Sequence, residues 1–400
     1  MPSELQNYYL IIPLFFAIGI GWWLGRRERA RPPVRPGTDL SQEYFAGLDY
    51  LLNEKVDEAI ESFIRALEIN SDTIPAHLAL AKLFRRKGDV DRAIRMHQNL
   101  LARPDLTHDD SLRVQMALAR DYYAVGLLDR AENLLLEIIR QGPPPKTRFN
   151  ALSLLIKLYE KEGEWAQALS SADKMEPDEQ RELKVELAHY CCEQAEAALA
   201  AGDSCLARQH LKAAAGYDDS QVRVFLLEAR VEQQQGRWRQ AIKCFKKAHE
   251  RDPLFIRETI SDLQACYAEL GRSRDCVKYL KKLMAEAPST SAMLALAEQI
   301  HVQRGSYAAG SYITEELKKR PSVKGFNRLM DIHIDDIPEQ VCEDSQSRLR
   351  VLRGLTGQLE LSKPVYRCNN CGFSGRLLHW NCPTCKSWGT TRPIQGLEGE

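Results

Sequence analysis

The sequence predicts an all-α protein: a superhelical solenoid of helical hairpins, preceded by one transmembrane helix and followed by a small four-cysteine module. Three observations predict this. Glycines recur through the middle of the chain every 34 to 39 residues, a long uncharged stretch lies near the start, and two C-x2-C pairs stand near the end. Composition agrees, since 44% hydrophobic and 28% charged residues among 400 suit a globular chain and exclude a many-span membrane protein. Eleven irregularly spaced cysteines do not make a secreted disulfide framework. The 55 basic residues equal the 55 acidic ones, which argues against a nucleic-acid coat protein but hides any segregation along the chain.

The first element is residues 5–25 (LQNYYLIIPLFFAIGIGWWLG), 21 residues without a charged side chain. At about 1.5 Å per residue a helix of this length reaches roughly 30 Å, the thickness of a bilayer core. Tyr8, Tyr9, Trp22 and Trp23 stand at its two ends, where amphipathic rings prefer the interface. Arg26, Arg27, Arg29, Arg31 and Arg35 follow directly, so the positive-inside rule places the N-terminus outside and the bulk of the chain in the cytoplasm. A cleaved signal peptide carries its positive charge before the apolar stretch, the reverse of what is found here. Residues 26–39 then read as an extended basic linker rich in proline, beside anionic headgroups.

The repeat comes next, over residues 40–322. Gly88, Gly126, Gly163, Gly202, Gly236, Gly271 and Gly305 interrupt otherwise helical sequence. Five residues after the first six of them stand Ala93, Ala131, Ala168, Ala207, Ala241 and Cys276. Four residues before come Phe84, Tyr122, Tyr159 and Tyr267 in four units. An earlier unit fits through Gly47, Tyr50, Ala59, Phe63 and Ala66, and a last, weak unit carries Gly310 in place of the small alanine. The pattern is that of helical hairpins: glycine permits the turn, small residues let the second helix approach the first, and aromatics fill the space between neighbours. Cys191, Cys192, Cys205, Cys244, Cys266 and Cys276 fall at helical spacings and read as small core residues.

Period and residue types resemble the tetratricopeptide repeat, most closely in YLLNEKVDEAIESFIRALEIN and QQQGRWRQAIKCFKKAHERDP. About eight units are counted. The resemblance implies a groove lined by the first helix of each hairpin, and on this sequence that lining includes Lys82, Arg85, Arg113, Arg120, Arg223 and Arg230. Such a groove either receives an acidic segment of a partner or is a solvated face balanced by nearby acids.

After the repeat, residues 323–362 read as a helical linker or cap, starting at Asp335-Asp336-Ile337-Pro338 and carrying Val341, Leu349, Leu352, Leu355 and Leu359 on one face. The last module spans residues 363–400. Cys368 and Cys371 form one C-x2-C, Cys382 and Cys385 another, ten residues apart. Each spacing lets a tight turn aim two thiolates at one ion, and two such knuckles complete a tetrahedron. His379 lies between them and is surplus to a filled shell. Both knuckles look like those of rubredoxins and zinc ribbons, and spacing does not separate iron from zinc. Between Lys363 and Gln395 stand Lys363, Arg367, Arg376, Lys386 and Arg392 with no acid, beside Trp380 and Trp388. These charges suit nucleic acid, membrane phosphates, an acidic protein surface or simply solubility.

Anchor, repeats and metal module in this order resemble the lipopolysaccharide assembly protein B family of Gram-negative bacteria. That resemblance covers essentially the whole chain. It implies a bacterial inner-membrane adaptor without catalytic activity, which helps the membrane protease FtsH degrade the UDP-acyl-N-acetylglucosamine deacetylase of lipid A synthesis. It also implies that Cys368, Cys371, Cys382 and Cys385 hold the metal and that the rubredoxin-like module packs on the repeats. Other lipopolysaccharide assembly proteins and membrane lipid are the further partners implied, and association of two chains is left open. No G-x4-G-K-[ST], H-E-x-x-H or G-x-S-x-G motif is present. The alternative functions are a nucleic-acid-binding protein acting through the basic ribbon, and electron transfer through a rubredoxin-type iron.

Overall fold

A computed structural model describes residues 36–69, 73–336 and 343–397, together with Ile20, Trp22 and Trp23. The anchor expected over residues 5–25 lies, apart from those last three, outside the described residues. No helix among the described residues is long and apolar enough to cross a membrane. The chain divides into two compact units, residues 1–154 and 155–400.

The first unit stacks helical hairpins: Pro36–Leu52 with Val56–Ile69, Ile74–Lys87 with Val90–Leu101, and His108–Val125 with Leu128–Arg140. The turns explain the glycine period. Gly88 and Gly126 sit at φ +91° and +89°, a left-handed conformation that side chains with a Cβ adopt only at a cost. The residue after each glycine then donates its N–H back to the carbonyl of the aromatic four residues before that glycine. Asp89 bonds to Phe84, Leu127 to Tyr122, Glu164 to Tyr159 and Arg272 to Tyr267, each at 2.9 Å. The aromatic therefore ends the helix with its backbone, and the Tyr122, Tyr159 and Tyr267 side chains are buried.

Where the first unit of the repeat lacks a turn glycine, Gly47 serves packing instead. A Cβ there would meet the Phe63 ring at 3.0 Å. Ala59, Phe63, Leu80 and Leu83 form the buried cluster that joins the first two hairpins. The small residues of the pattern, Ala93, Ala131, Ala168, Ala207 and Ala241, are fully buried, as close helix approach requires.

Within the second unit the paired helices are Lys184–Ala200 and Ser204–Tyr217, Val222–Gln234 and Trp238–Arg251, Ile256–Glu269 and Ser273–Glu286, and Thr290–Arg304 and Ser306–Lys319. One core cluster runs from Val222 to Leu296, and Leu378 and Trp380 of the C-terminal module pack against it. Of the six repeat cysteines, Cys205 is exposed, Cys244 is half-buried and the other four are buried. Burial pushes the Cys191 and Cys192 thiols up to about 12 and that of Cys276 to about 11, which suppresses thiolate chemistry.

Two helices follow Pro321: Val323–Asp336 and Glu343–Ser362. The helix start expected at Asp335-Asp336 is not found: both residues close the helix Val323–Asp336, whose apolar positions carry it through to them, while residues 337–342 lie outside the described residues. Leu352, Leu355 and Leu359 are largely exposed. Polar contacts tie the last helix to the one before it. Arg353 pairs with Asp331 at 2.7 Å, and the Asn327 amide donates to Glu360 at 2.6 Å. The C-terminal module is a three-stranded antiparallel sheet of order β2-β1-β3, with β1 Tyr366–Cys368, β2 Ser374–Gly375 and β3 Thr391–Pro393. Tyr366 faces Gly375 on one side and Pro393 on the other.

Candidate metal centre

The two cysteine knuckles are built alike. In the first, Gly372 donates its N–H to the Cys368 carbonyl at 2.9 Å and Cys368 donates to Phe373 at 2.7 Å. In the second, Lys386 donates to Cys382 at 2.9 Å and Cys382 to Ser387 at 3.0 Å. Gly372 and Lys386 hold the same place in their turns and share a left-handed backbone, φ +78° and +56°. Glycine takes that conformation freely, whereas lysine is strained in it.

These turns bring all four sulfurs within 4.8 Å of one another. Cys368 and Cys385 lie 3.7 Å apart and Cys371 and Cys382 3.6 Å apart. A tetrahedron with metal–sulfur bonds of about 2.3 Å has edges near 3.8 Å, so the donor set fits a four-thiolate ion. All four are free of disulfides. Donors surround the sulfurs: the Asn370 amide reaches Cys385 at 3.5 Å, and the Thr390 hydroxyl lies 3.2 Å from Cys368. The Ser387 hydroxyl, then its backbone N–H, pulls the Cys385 thiol down to about 5, and Thr390 lowers Cys368. These two shifts favour the thiolate that a metal needs, whereas Cys371, held down by the Phe373 backbone N–H but crowded by the other three sulfurs, is pushed up to about 12. His379 packs edge-on to Phe373 instead of joining the sulfurs.

The module sits against the helices of its own unit. Both tryptophans whose setting the sequence left open are packed there. Trp380 stacks on Phe255 with centroids 5.4 Å apart, and Trp388 on His189 at 5.0 Å. Glu160 accepts from the Trp388 indole at 3.0 Å and the Asn381 amide at 2.9 Å through one oxygen, and from the Tyr190 hydroxyl at 2.6 Å through the other. Arg392 pairs with Asp252 at 3.3 Å, and the Tyr366 hydroxyl donates to Glu258. Gly389 allows the closest approach, because a Cβ there would meet His189 Nε2 at 3.1 Å. His189 is enclosed beneath Trp388, and burial, then the Arg223 charge, pulls its pKa down to about 3.

The six basic residues expected along a groove are placed differently from one another. Arg223 is buried, pairs with Glu193 at 2.8 Å and Glu196 at 3.2 Å, and lies under the Trp380 ring. Its charge is occupied inside the chain, where it serves the seat of the metal module. Arg230 is exposed. Lys82, Arg85, Arg113 and Arg120 line one recess of the first unit. Glu160, His189 and Trp165, whose ring lies edge-on to Trp388 at 6.0 Å, had no local signal. Glu160 stands 221 and 228 residues before its partners Asn381 and Trp388, a separation that only folding closes.

Comparison with known proteins agrees with this geometry. The family described as Rubredoxin metal binding domain matches residues 366–393, and Tetratricopeptide repeat matches residues 76–109. Lipopolysaccharide assembly protein B of Escherichia coli is 35% identical over 395 residues, covering 99% of this chain and 100% of that protein. The Haemophilus influenzae protein of the same name is 32% identical, covering 98% of this chain and 99% of its own length. With relatives at this identity along almost every residue, repeats and four-cysteine module included, the chain belongs to the lipopolysaccharide assembly protein B family.

Proposed function

We propose that the chain is a non-catalytic inner-membrane adaptor regulating lipopolysaccharide biosynthesis. It brings the membrane protease FtsH together with the deacetylase of lipid A synthesis, so that proteolysis matches supply to demand. The observation that carries this reading is membership of a family whose relatives bear the name lipopolysaccharide assembly protein B. A stack of helical hairpins supports it, because such arrays offer continuous surfaces to protein partners. Tethering on one membrane raises the effective concentration of substrate at the protease.

On this reading residues 5–25 are a single-pass anchor with the N-terminus in the periplasm, 26–39 a basic linker, 40–322 the repeats, 323–362 a helical link and 363–400 the metal module. Cys368, Cys371, Cys382 and Cys385 hold one iron or zinc ion. Bound there, the metal supplies structural cross-linking, since four thiolates leave no open position. The chain's own residues then aim Trp380 and Trp388 at the repeats. Depleting the protein in cells while following the half-life of the deacetylase tests the reading. A lengthened half-life is expected, and an unchanged one overturns it.

A further inference from the structure

The first unit contains a recess of about 270 Å³ lined by residues of helices Ile74–Lys87, Val90–Leu101 and His108–Val125 and by Thr147 and Asn150 at the start of helix Pro145–Glu162. Its walls carry four cations: Lys82 and Arg85 from helix Ile74–Lys87, Arg113 and Arg120 from helix His108–Val125. Two of these are already compensated. Arg85 reaches Asp121 at 2.5 Å, and Arg113 reaches Asp110 at 3.5 Å. Among the described residues no carboxylate lies within ion-pair distance of Lys82 or Arg120. Partial enclosure and, second, the like charge of Arg85 hold the Arg120 guanidinium below its usual value.

The floor is more ordered than a solvated charged face requires. Asp121 is fully buried and accepts from both Arg85 and His97, the latter at 2.5 Å. This buried carboxylate fixes Arg85 and the His97 ring in place. His97 is itself fully buried and lines the recess, and its Nε2 has no hydrogen-bond partner. A buried polar atom left without a partner costs about 1–3 kcal/mol, and His97 holds such an atom beneath the recess.

We infer that this recess binds a glutamate-bearing acidic segment of a partner protein, its carboxylates held by Lys82 and Arg120 over the Asp121–His97 floor. The occupant follows from the walls. Leu78, Met116 and Ala117 interleave with the cations, and these apolar surfaces suit the methylene stems of glutamate rather than a bare inorganic anion. Asn150 adds a side-chain amide able to bond an extended backbone. A membrane surface is flat and does not enter a recess. The identification of the occupant as protein rests on the adaptor reading, whereas the anion chemistry does not.

The test uses the full-length protein in detergent micelles and a fluorescent hexaglutamate peptide, followed by anisotropy at low salt, with hexaglutamine as the neutral control. Lys82→Glu and Arg120→Glu are each expected to weaken binding at least tenfold, whereas Arg140→Glu, an exposed charge on another helix, leaves it unchanged. Both test positions are exposed, so loss of folding is not expected, and an unchanged melting curve verifies that. Equal binding of hexaglutamine, indifference to both reversals, or displacement by millimolar phosphate as effective as by unlabelled peptide overturns the inference. Deacetylase half-life in cells is read separately. Absent peptide binding with a depletion-dependent half-life removes this site and leaves the adaptor reading; intact binding with a depletion-insensitive half-life does the reverse.

Discussion

The carboxylate of Glu160 accepts the indole N–H of Trp388 at 3.0 Å, although 228 residues separate them. With the Asn381 amide on the same oxygen, one side chain joins the metal module to the helices by two hydrogen bonds, while its other oxygen accepts from the Tyr190 hydroxyl of a repeat helix. Trp388 is 7% exposed, so its indole N–H has no ready access to water if Glu160 is lost.

Glu160→Ala is therefore expected to destabilise the protein by about 1–3 kcal/mol, the cost of stranding the buried indole N–H. Glu160→Gln retains an acceptor for the indole and should lose about half as much. Urea unfolding followed by tryptophan fluorescence measures both, and equal stability of all three proteins contradicts the assigned role.

Gly389→Ala and Gly88→Ala separate two reasons for glycine. Both residues have a left-handed backbone, φ +63° and +91°, which costs an alanine about 1 kcal/mol. Open space surrounds Gly88, whereas a Cβ at Gly389 would also press on His189. Loss of metal to a chelator should accelerate in the Gly389 variant and stay near the parent rate in the Gly88 variant. Identical rates in the two would show that the His189 contact is unimportant.

Cys371→Ser removes one of four converging sulfurs. Because metal binding and folding of such a module are linked, elemental analysis should find the ion lost and proteolysis should reach residues 366–393. Full metal content in the variant refutes the four-cysteine assignment.

Acid weakens the second unit through His249. Burial pulls its pKa to about 4, while the ring bonds the Tyr279 hydroxyl at 2.8 Å and contacts Thr259. The unfolded chain takes up the proton near the ordinary value of about 6.5, so between roughly pH 6.5 and 4 it binds more protons than the folded one. Stability from this group is present above that window and falls as pH drops through it, by about 2 kcal/mol between pH 7 and 5. A His249→Gln variant should show a correspondingly shallower decline in urea stability over the same range. An identical slope eliminates the contribution.

Much of the fold was legible in the sequence because its causes are local. A left-handed turn demands glycine and close helices demand alanine, so Gly88 and Gly126, with Ala93 and Ala131, declare hairpins one after another. The metal centre was legible for the same reason: two turns of four residues aim Cys368 with Cys371 and Cys382 with Cys385, wherever the module sits. Gly47 shows the limit of that reading, since its place in the pattern was visible but its contact with the Phe63 ring was not.

What only the tertiary structure decided is which charges and rings meet. Arg223 and Lys82 look alike in sequence, each a cation on the first helix of a hairpin. Folding buries Arg223 between Glu193, Glu196 and Trp380 and leaves Lys82 at a recess, with no acid beside it among the described residues. Glu160 gained its role in the same way. Local periodicity is set by backbone geometry within a few residues, whereas desolvation and ion pairing depend on neighbours from distant helices, and a linear order does not record those.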